Sequence, residues 1–347
     1  MKTKHSFLVS ILAAVVVWAP AVTQAQYQTR NMHLGVSGGN INDISRRFCC
    51  SGTLGSLVNA GTTQYILSNN HVLARTDQAA PGEDVSQPGL VDTNCQTATI
   101  VADYTIAVPL GNNVDCAIAQ VRSGQMDSTG FIEPIGPPSS TIASPSVGMA
   151  VAKSGRTTGH TMGTIASINT SVRVQYQPTC GSGKKRNISY TNQVLINGSA
   201  FSAGGDSGSL ITTNDGCYHP VALLFAGSSS TTIGNPIGEV MSKLSAQLGS
   251  SLTFVGTNCT GPGSPQFGAF QLPQHALDHA NALLERNRQD IMSRPAVLGV
   301  GLGALEDNLT AAVVVYVDKT SSSNPRLAAQ VDDVPVRIVM TDPFIAF

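Results

Sequence analysis

This chain has little charge. Only 12% of its 347 residues are Asp, Glu, Lys or Arg, divided into 20 basic and 21 acidic side chains. The one basic run is the short Lys184-Lys185-Arg186. A nucleic-acid partner needs a concentrated positive surface to neutralise phosphates, so none is expected. No CxxC pair occurs, and the adjacent Cys49-Cys50 cannot readily close on a single metal ion. That argues against a zinc site, and neither a metal nor a cofactor is expected. Beyond the first residues no apolar run is long enough to span a bilayer, so the mature chain is expected to leave membranes alone. Oligomeric state is not indicated.

What is present points to strands and export. Thirty-four glycines and eighteen prolines imply many turns and a β-rich fold. Lys2 and Lys4 precede an apolar run, 7–18, and Ala25 is a small residue suited to cleavage, with Thr23 two places before it. Residues 1–25 therefore read as a signal peptide, and the protein as secreted or periplasmic. Losing Lys2 and Lys4 leaves the mature chain mildly acidic. Seven cysteines suit an oxidising compartment, and an odd number leaves at least one thiol free or paired between chains.

The stretch that organises the rest is Gly205-Asp206-Ser207-Gly208. A serine hydroxyl is a poor nucleophile unless a base takes its proton and donors receive the negative charge it creates. Glycine lets the backbone bend so that the N–H groups of Gly205 and Ser207 converge as an oxyanion hole. Alone, the tetrapeptide would equally be a surface turn. His71 follows an apolar strand, and Asp115 opens another, Ala117-Ile118-Ala119. In the order His71, Asp115, Ser207, the imidazole can take the serine proton while the carboxylate orients the imidazole and stabilises its cation. The His and Asp would lie on one β half and the Ser on the other, with the site in the cleft between.

With these residues in place, the chain resembles a chymotrypsin-fold (trypsin-like) serine peptidase of the bacterial branch. The resemblance covers roughly residues 35–248. It rests on Ser68-Asn69-Asn70-His71, Asp115-Cys116-Ala117-Ile118-Ala119, Gly205-Asp206-Ser207-Gly208, and Ser154-Gly155-Arg156-Thr157-Thr158-Gly159, the last similar to a segment of α-lytic protease-like enzymes. It implies a mainly β fold of two six-stranded antiparallel β-barrels, here followed by a small C-terminal α+β module. It implies hydrolysis of peptide bonds through an acyl-enzyme, with peptides or proteins as substrates. It also implies a structural ion pair between Arg156 and Asp206 and makes cleavage before Val36 unnecessary. Phe201 falls at the base of the substrate pocket, though it reads equally as a core aromatic. Phe225 and Gly227 fall on the pocket wall and entrance. No acid lies between Phe201 and Ala203, so uncharged residues are expected in the pocket. Val72 stands where many relatives have a cysteine, which leaves Cys49 or Cys50 to reach Cys95, Cys116 as a free buried thiol, and Cys180 with Cys217. Ser209 replaces a usual glycine.

Residues 26–258 thus read as the peptidase domain, with a Pro/Ser/Gly-rich connection near 123–146, and 259–272 as a linker. Residues 273–347 read as a separate module whose role is not evident, opening with a helix over 274–293. Within it His275 and His279 are four apart, but no third ligand accompanies them, and two solvated histidines are expected. Residues 26–48 read as a polar lead-in, 75–96 as loop and 324–330 as a short helix. The domain at 26–258 is expected to fold without the module. Two other functions compete with the peptidase: a silent or self-inhibited binding protein on the same fold, and a structural secreted β-protein.

Overall fold

The computed structural model describes residues 32–347 apart from 47, 97, 260–268 and 324. The expected signal peptide and most of the expected linker at 259–272 lie outside the described residues. The N-terminal half contains β1 (Val36–Asn40), β2 (Gly52–Leu54), β3 (Ser56–Ala60), β4 (Thr63–Ser68), the one-turn helix α1 (Asn70–Leu73), β5 (Asp84–Gln87), β6 (Thr99–Ala107) and β7 (Ala117–Val121). The second half contains β8 (Ala150–Gly155), β9 (Gly159–Tyr176), β10 (Arg186–Asn197), β11 (Leu210–Thr213), β12 (Pro220–Gly227), β13 (Thr231–Pro236) and α2 (Ile237–Leu248). Then follow β14 (Thr253–Phe254), α3 (Gln274–Ser293), β15 (Val297–Ala304), β16 (Ala311–Asp318), β17 (Gln330–Val331), β18 (Val334–Thr341) and β19 (Phe344–Ala346).

The architecture is mainly β and built as two units, as a chymotrypsin-type fold requires. The first is an eight-stranded sheet in the order β14-β3-β4-β7-β6-β5-β1-β2, a half-barrel rather than a closed six-stranded one. In the second, β8, β9, β10, β13, β12 and β11 pair in a ring of six. The ladder between β4 and β7 has Ser68 opposite Ala117. The residues just past the end of β4 and just before the start of β7 therefore meet at one rim of the first sheet. In the ring, Leu210 of β11 faces Leu223 of β12, and the Gly208 N–H continues the contact to Leu224. That brings the turn before β11 beside Phe225.

Strand β12 is buried along its whole length. Its side chains serve different cores: Leu224 packs with Val151 and Phe201, whereas Phe225 packs with Tyr176 and Tyr190. A continuous apolar run is what a strand covered on both faces needs.

Three local expectations change. The lead-in contains β1, whose small residues fit between β2 and β5, and the loop over 75–96 contains β5. Among the described residues of 324–330 there is no helix.

The C-terminal region is not set apart as a separate module. Strand β9 is eighteen residues long, enough to serve β8 with its first part and β10 and β15 with the rest. Strands β15, β16, β18 and β17 extend the second sheet from that edge, and α3 covers β15 and β16. Strand β19 then runs parallel to β9 and antiparallel to β12. Among the described residues no helix is long and apolar enough to cross a membrane.

Disulfides join Cys49 to Cys95, Cys50 to Cys180 and Cys217 to Cys259. The expected Cys180–Cys217 bridge is absent because Cys180 ties the β9–β10 connection to the first sheet. Cys116 is free and buried, and burial pushes its thiol well above the ordinary range.

Candidate active site

His71 sits on α1, immediately past β4. Its neighbours fix it: Asn69 donates its side-chain amide to the Asp115 carbonyl at 2.7 Å, and Asn70 donates to the Val108 carbonyl at 2.9 Å. Asp115 is fully buried just before β7, and its N–H donates to the side chain of Asn235 at 2.9 Å. A buried carboxylate must be met by donors. Asp115 receives three: the His71 N–H at 3.2 Å, His71 Nδ1 at 2.6 Å and the Tyr176 hydroxyl at 2.7 Å. Tyr190 in turn donates to Tyr176 at 2.8 Å. Burial and the nearby Asp115 charge push Tyr176 well above the ordinary tyrosine range, so it stays a donor.

Ser207 lies in the turn leading to β11, and its hydroxyl donates to the Phe225 carbonyl at 3.1 Å. The peptides around it are oriented from behind. Thr157 Oγ1 donates to the Gly204 carbonyl at 2.6 Å, and Ser209 Oγ donates to the Asp206 carbonyl at 2.6 Å. In a planar trans peptide the N–H points opposite its carbonyl, so both bonds turn the Gly205 and Ser207 N–H groups the other way. The serine found in place of a glycine at 209 thus has a structural use. Gly205 has φ +98°, and a Cβ there would come within 2.5 Å of Thr157 Oγ1.

The expected Arg156–Asp206 pair does not form. Arg156 holds Asp92 through Nε and Nη2, each at 2.7 Å. Asp206 is buried and faces Lys153, also fully buried, with Nζ 3.5 Å from Oδ2. The carboxylate also accepts the N–H groups of Thr157, Thr158 and Ala203 and the Thr158 hydroxyl, at 2.7–3.1 Å. Lys153 stands inside β8, where its four-carbon stem reaches Asp206 from the sheet. Arg156 lies past the end of β8 and points across to the first unit. Val36 is an ordinary member of β1, opposite Leu54.

Of the three expected pocket residues, only Phe201 brings a side chain to it, while Phe225 and Gly227 bring backbone. Phe201 is buried, and Phe347 packs against its cluster. The Phe225 ring lies in the core with its centroid 4.9 Å from that of Tyr190, and its carbonyl is what meets the site. Gly227 leaves an opening that the Phe347 ring fills: a Cβ would fall 2.6 Å from Phe347 Cζ.

Phe347 was not foreseen, nor were Tyr176, Lys153 and Asp43. The Phe347 carbonyl lies 3.0 Å from His71 Nε2. A carboxylate on Nδ1 and a carbonyl on Nε2 are both acceptors, so both ring nitrogens must carry protons. Burial works against that cation, but the charge and hydrogen bond of Asp115, the Phe347 carbonyl and the charge of Asp43 outweigh it, and the pKa of His71 rises above 6.5. Asp43 is itself pushed up to about 6 by burial, against the pull of His71 and Arg75. Beyond Phe347 a cavity of about 310 Å³ stays open, lined by Asp43, His71, Arg156, Gly205 and the Cys50–Cys180 bridge. His275 and His279 hold no such site: His279 pairs with Asp333 at 2.8 Å. No cluster of His, Cys, Asp and Glu suited to a metal exists among the described residues.

No protein-family model matches the chain, and no curated protein does. Solved structures do. One is a glutamic acid specific serine protease described as using a histidine triad in substrate binding. It is 22% identical with a TM-score of 0.44, over 64% of this chain and 100% of that one. Protease A of Thermobifida fusca is 18% identical with a TM-score of 0.42, over 65% and 98%. Nocardiopsis protease is 14% identical with a TM-score of 0.45, over 66% and 100%.

Proposed function

We propose that the protein is a secreted serine endopeptidase acting through Ser207, His71 and Asp115. The observation that carries this reading is the buried Asp115 carboxylate 2.6 Å from His71 Nδ1, with Phe347 spanning from His71 Nε2 to the Phe225 carbonyl that also accepts the Ser207 hydroxyl. With Phe347 displaced and His71 neutral, Nε2 is free to take the Ser207 proton. Asp115, held by Tyr176, keeps the Nδ1–H tautomer and stabilises the imidazolium as Oγ attacks the substrate carbonyl. The Gly205 and Ser207 N–H groups receive the charge on its oxygen. His71 then protonates the leaving amine, and water repeats the sequence to release the acyl group. The three disulfides suit an exported protein.

The contact of Phe347 with His71 favours one second reading, a catalytically silent binding protein on this fold. Labelling by a fluorophosphonate separates the two, since only an activated serine reacts. Labelling is expected in the full chain or in a chain lacking residues 345–347, and is lost with Ser207→Ala in either. Ser207→Ala should lower peptide hydrolysis by on the order of a millionfold. A serine that labels in neither chain, or undiminished hydrolysis by clean Ser207→Ala protein, would overturn the peptidase reading.

A further inference from the structure

Residues 344–347 lie in the cleft as an extended peptide. Ile345 is opposite Gly227 and Ala346 opposite Ala226 in an antiparallel ladder with β12. The Phe347 N–H donates to the Phe225 carbonyl at 3.4 Å, and the Phe347 carbonyl lies 3.0 Å from His71 Nε2. The segment therefore presents the Phe347 carbonyl to the triad and Ile345 and Ala346 to the sheet edge. Phe344 anchors the other end, fully buried with Tyr316 and Phe225.

A main-chain ladder accepts any extended peptide, and selection comes from the pockets that its side chains meet. The side chain next to the triad is a phenyl ring. It stands over Gly227 and packs against the cluster of Phe201, Val151 and Leu224. A charged group in that apolar setting would lose its hydration without a partner. The residue before it is alanine, against β12.

Building on the peptidase reading above, we propose that the cleft takes extended peptides with an aromatic residue on the acyl side of the cleaved bond, and that residues 344–347 are an intramolecular ligand of this class which holds the site closed. Closure is visible at both catalytic groups. His71 has an acceptor on each nitrogen and no free lone pair, and the Ser207 hydroxyl is turned to Phe225. A tethered ligand acts at an effective concentration on the order of millimolar, so even a weakly binding tetrapeptide suffices.

The test compares the full chain, a chain lacking residues 345–347 and the full chain with Phe347→Asp. The last two keep Phe344 in its core, and the point variant covers the case in which the shortened chain fails to fold. Fluorophosphonate labelling should quicken by about tenfold or more in either variant. The shortened chain should cleave peptide anilides ending in Ala-Phe at least about tenfold faster than those ending in Ala-Arg or Ala-Glu. Fluorescent Ile-Ala-Phe, the part of the segment that the shortened chain lacks, should bind that chain, in a Ser207→Ala background, and not the full chain. Equal labelling in all three chains, or a dominant preference for Arg or Glu, would overturn the proposal while leaving the peptidase reading intact. If no chain labels, the peptidase reading falls. Peptide binding then decides the ligand claim alone: failure to bind the shortened chain ends it.

Discussion

Lys153 and Asp206 are both fully buried, and their ion pair underlies the turn that carries Ser207. Burial lowers the pKa of Lys153, and the charge of Asp206 works the other way. Removing one member of a buried pair leaves the other charge without its counterpart, which typically costs about 3–5 kcal/mol. Lys153→Met should therefore destabilise by about that much in urea unfolding. Arg156→Ala removes a bidentate contact with Asp92 in which the arginine keeps 15% of its side chain in water, so solvent can reach the carboxylate left behind, and the loss should be smaller. A larger loss for Arg156→Ala would mean that Arg156, not Lys153, supports the turn. The sequence made Arg156 visible because it stands in a recognisable Ser-Gly-Arg-Thr-Thr-Gly segment. Lys153 is three residues upstream in an apolar strand, where a lysine reads as an ordinary surface residue. Tyr176 gave no local signal either: it reaches Asp115 across 61 residues of chain, from the far end of β9. His71, Asp115 and Ser207 stand out in the sequence because their residue types are chemically specific and each sits in a short motif. Their supporters act by shape and hydrogen bonding, which unrelated residue types can supply.

At the scale of elements, β19 is the least legible and the most consequential. Phe-Ile-Ala-Phe offers only a short apolar run after Pro343, and nothing in it reveals pairing with β12. Its hold on the site is coupled to His71, whose ring is faced by Asp115 and Asp43, by the Tyr176 hydroxyl on Asp115 and by the Phe347 carbonyl, with Arg75 acting on Asp43. The pKa of His71 is raised with β19 in place. The contact is fully present below the ordinary value of 6.5 and is lost as pH climbs through the raised one, because neutral His71 keeps its proton on Nδ1 and cannot donate to Phe347. Asp43, titrating at about 6, adds negative charge beside the ring over the same range and favours the cation. Labelling rates between about pH 5 and about pH 9 should therefore rise at a higher midpoint in the full chain than in the chain lacking 345–347. Coincident midpoints would show that β19 and His71 are not coupled.

At the scale of the molecule, the described residues after 258 belong to the structure of the second unit. A boundary was expected because the composition changes near 260–271 and a helix follows. Composition registers a change of element type, but not which sheet edge the new strands join. Strand β15 pairs with β9 from Ser167 to Val172, and β19 pairs with both β9 and β12. Val314, Tyr316 and Phe344 share one core with Val172, Tyr176, Tyr190 and Phe225, and Tyr316 is hydrogen-bonded to Ser167 at 2.8 Å. A chain ended at 258 would bare these apolar side chains and leave the edge of β9 without its partner, an arrangement prone to aggregation. It would also loosen Tyr176, and with it the donor on Asp115. The full chain should unfold in one cooperative transition for this second unit, followed by near-ultraviolet circular dichroism in urea. The chain ended at 258 should be insoluble or lack that transition, and should not be rescued by the removal of self-inhibition. Removing only 345–347 should keep the transition, since Phe344 and the β9–β15 ladder remain. A soluble 26–258 chain with a native-like transition and faster labelling than the full chain would show instead that the C-terminal region is a detachable cover and not part of the fold.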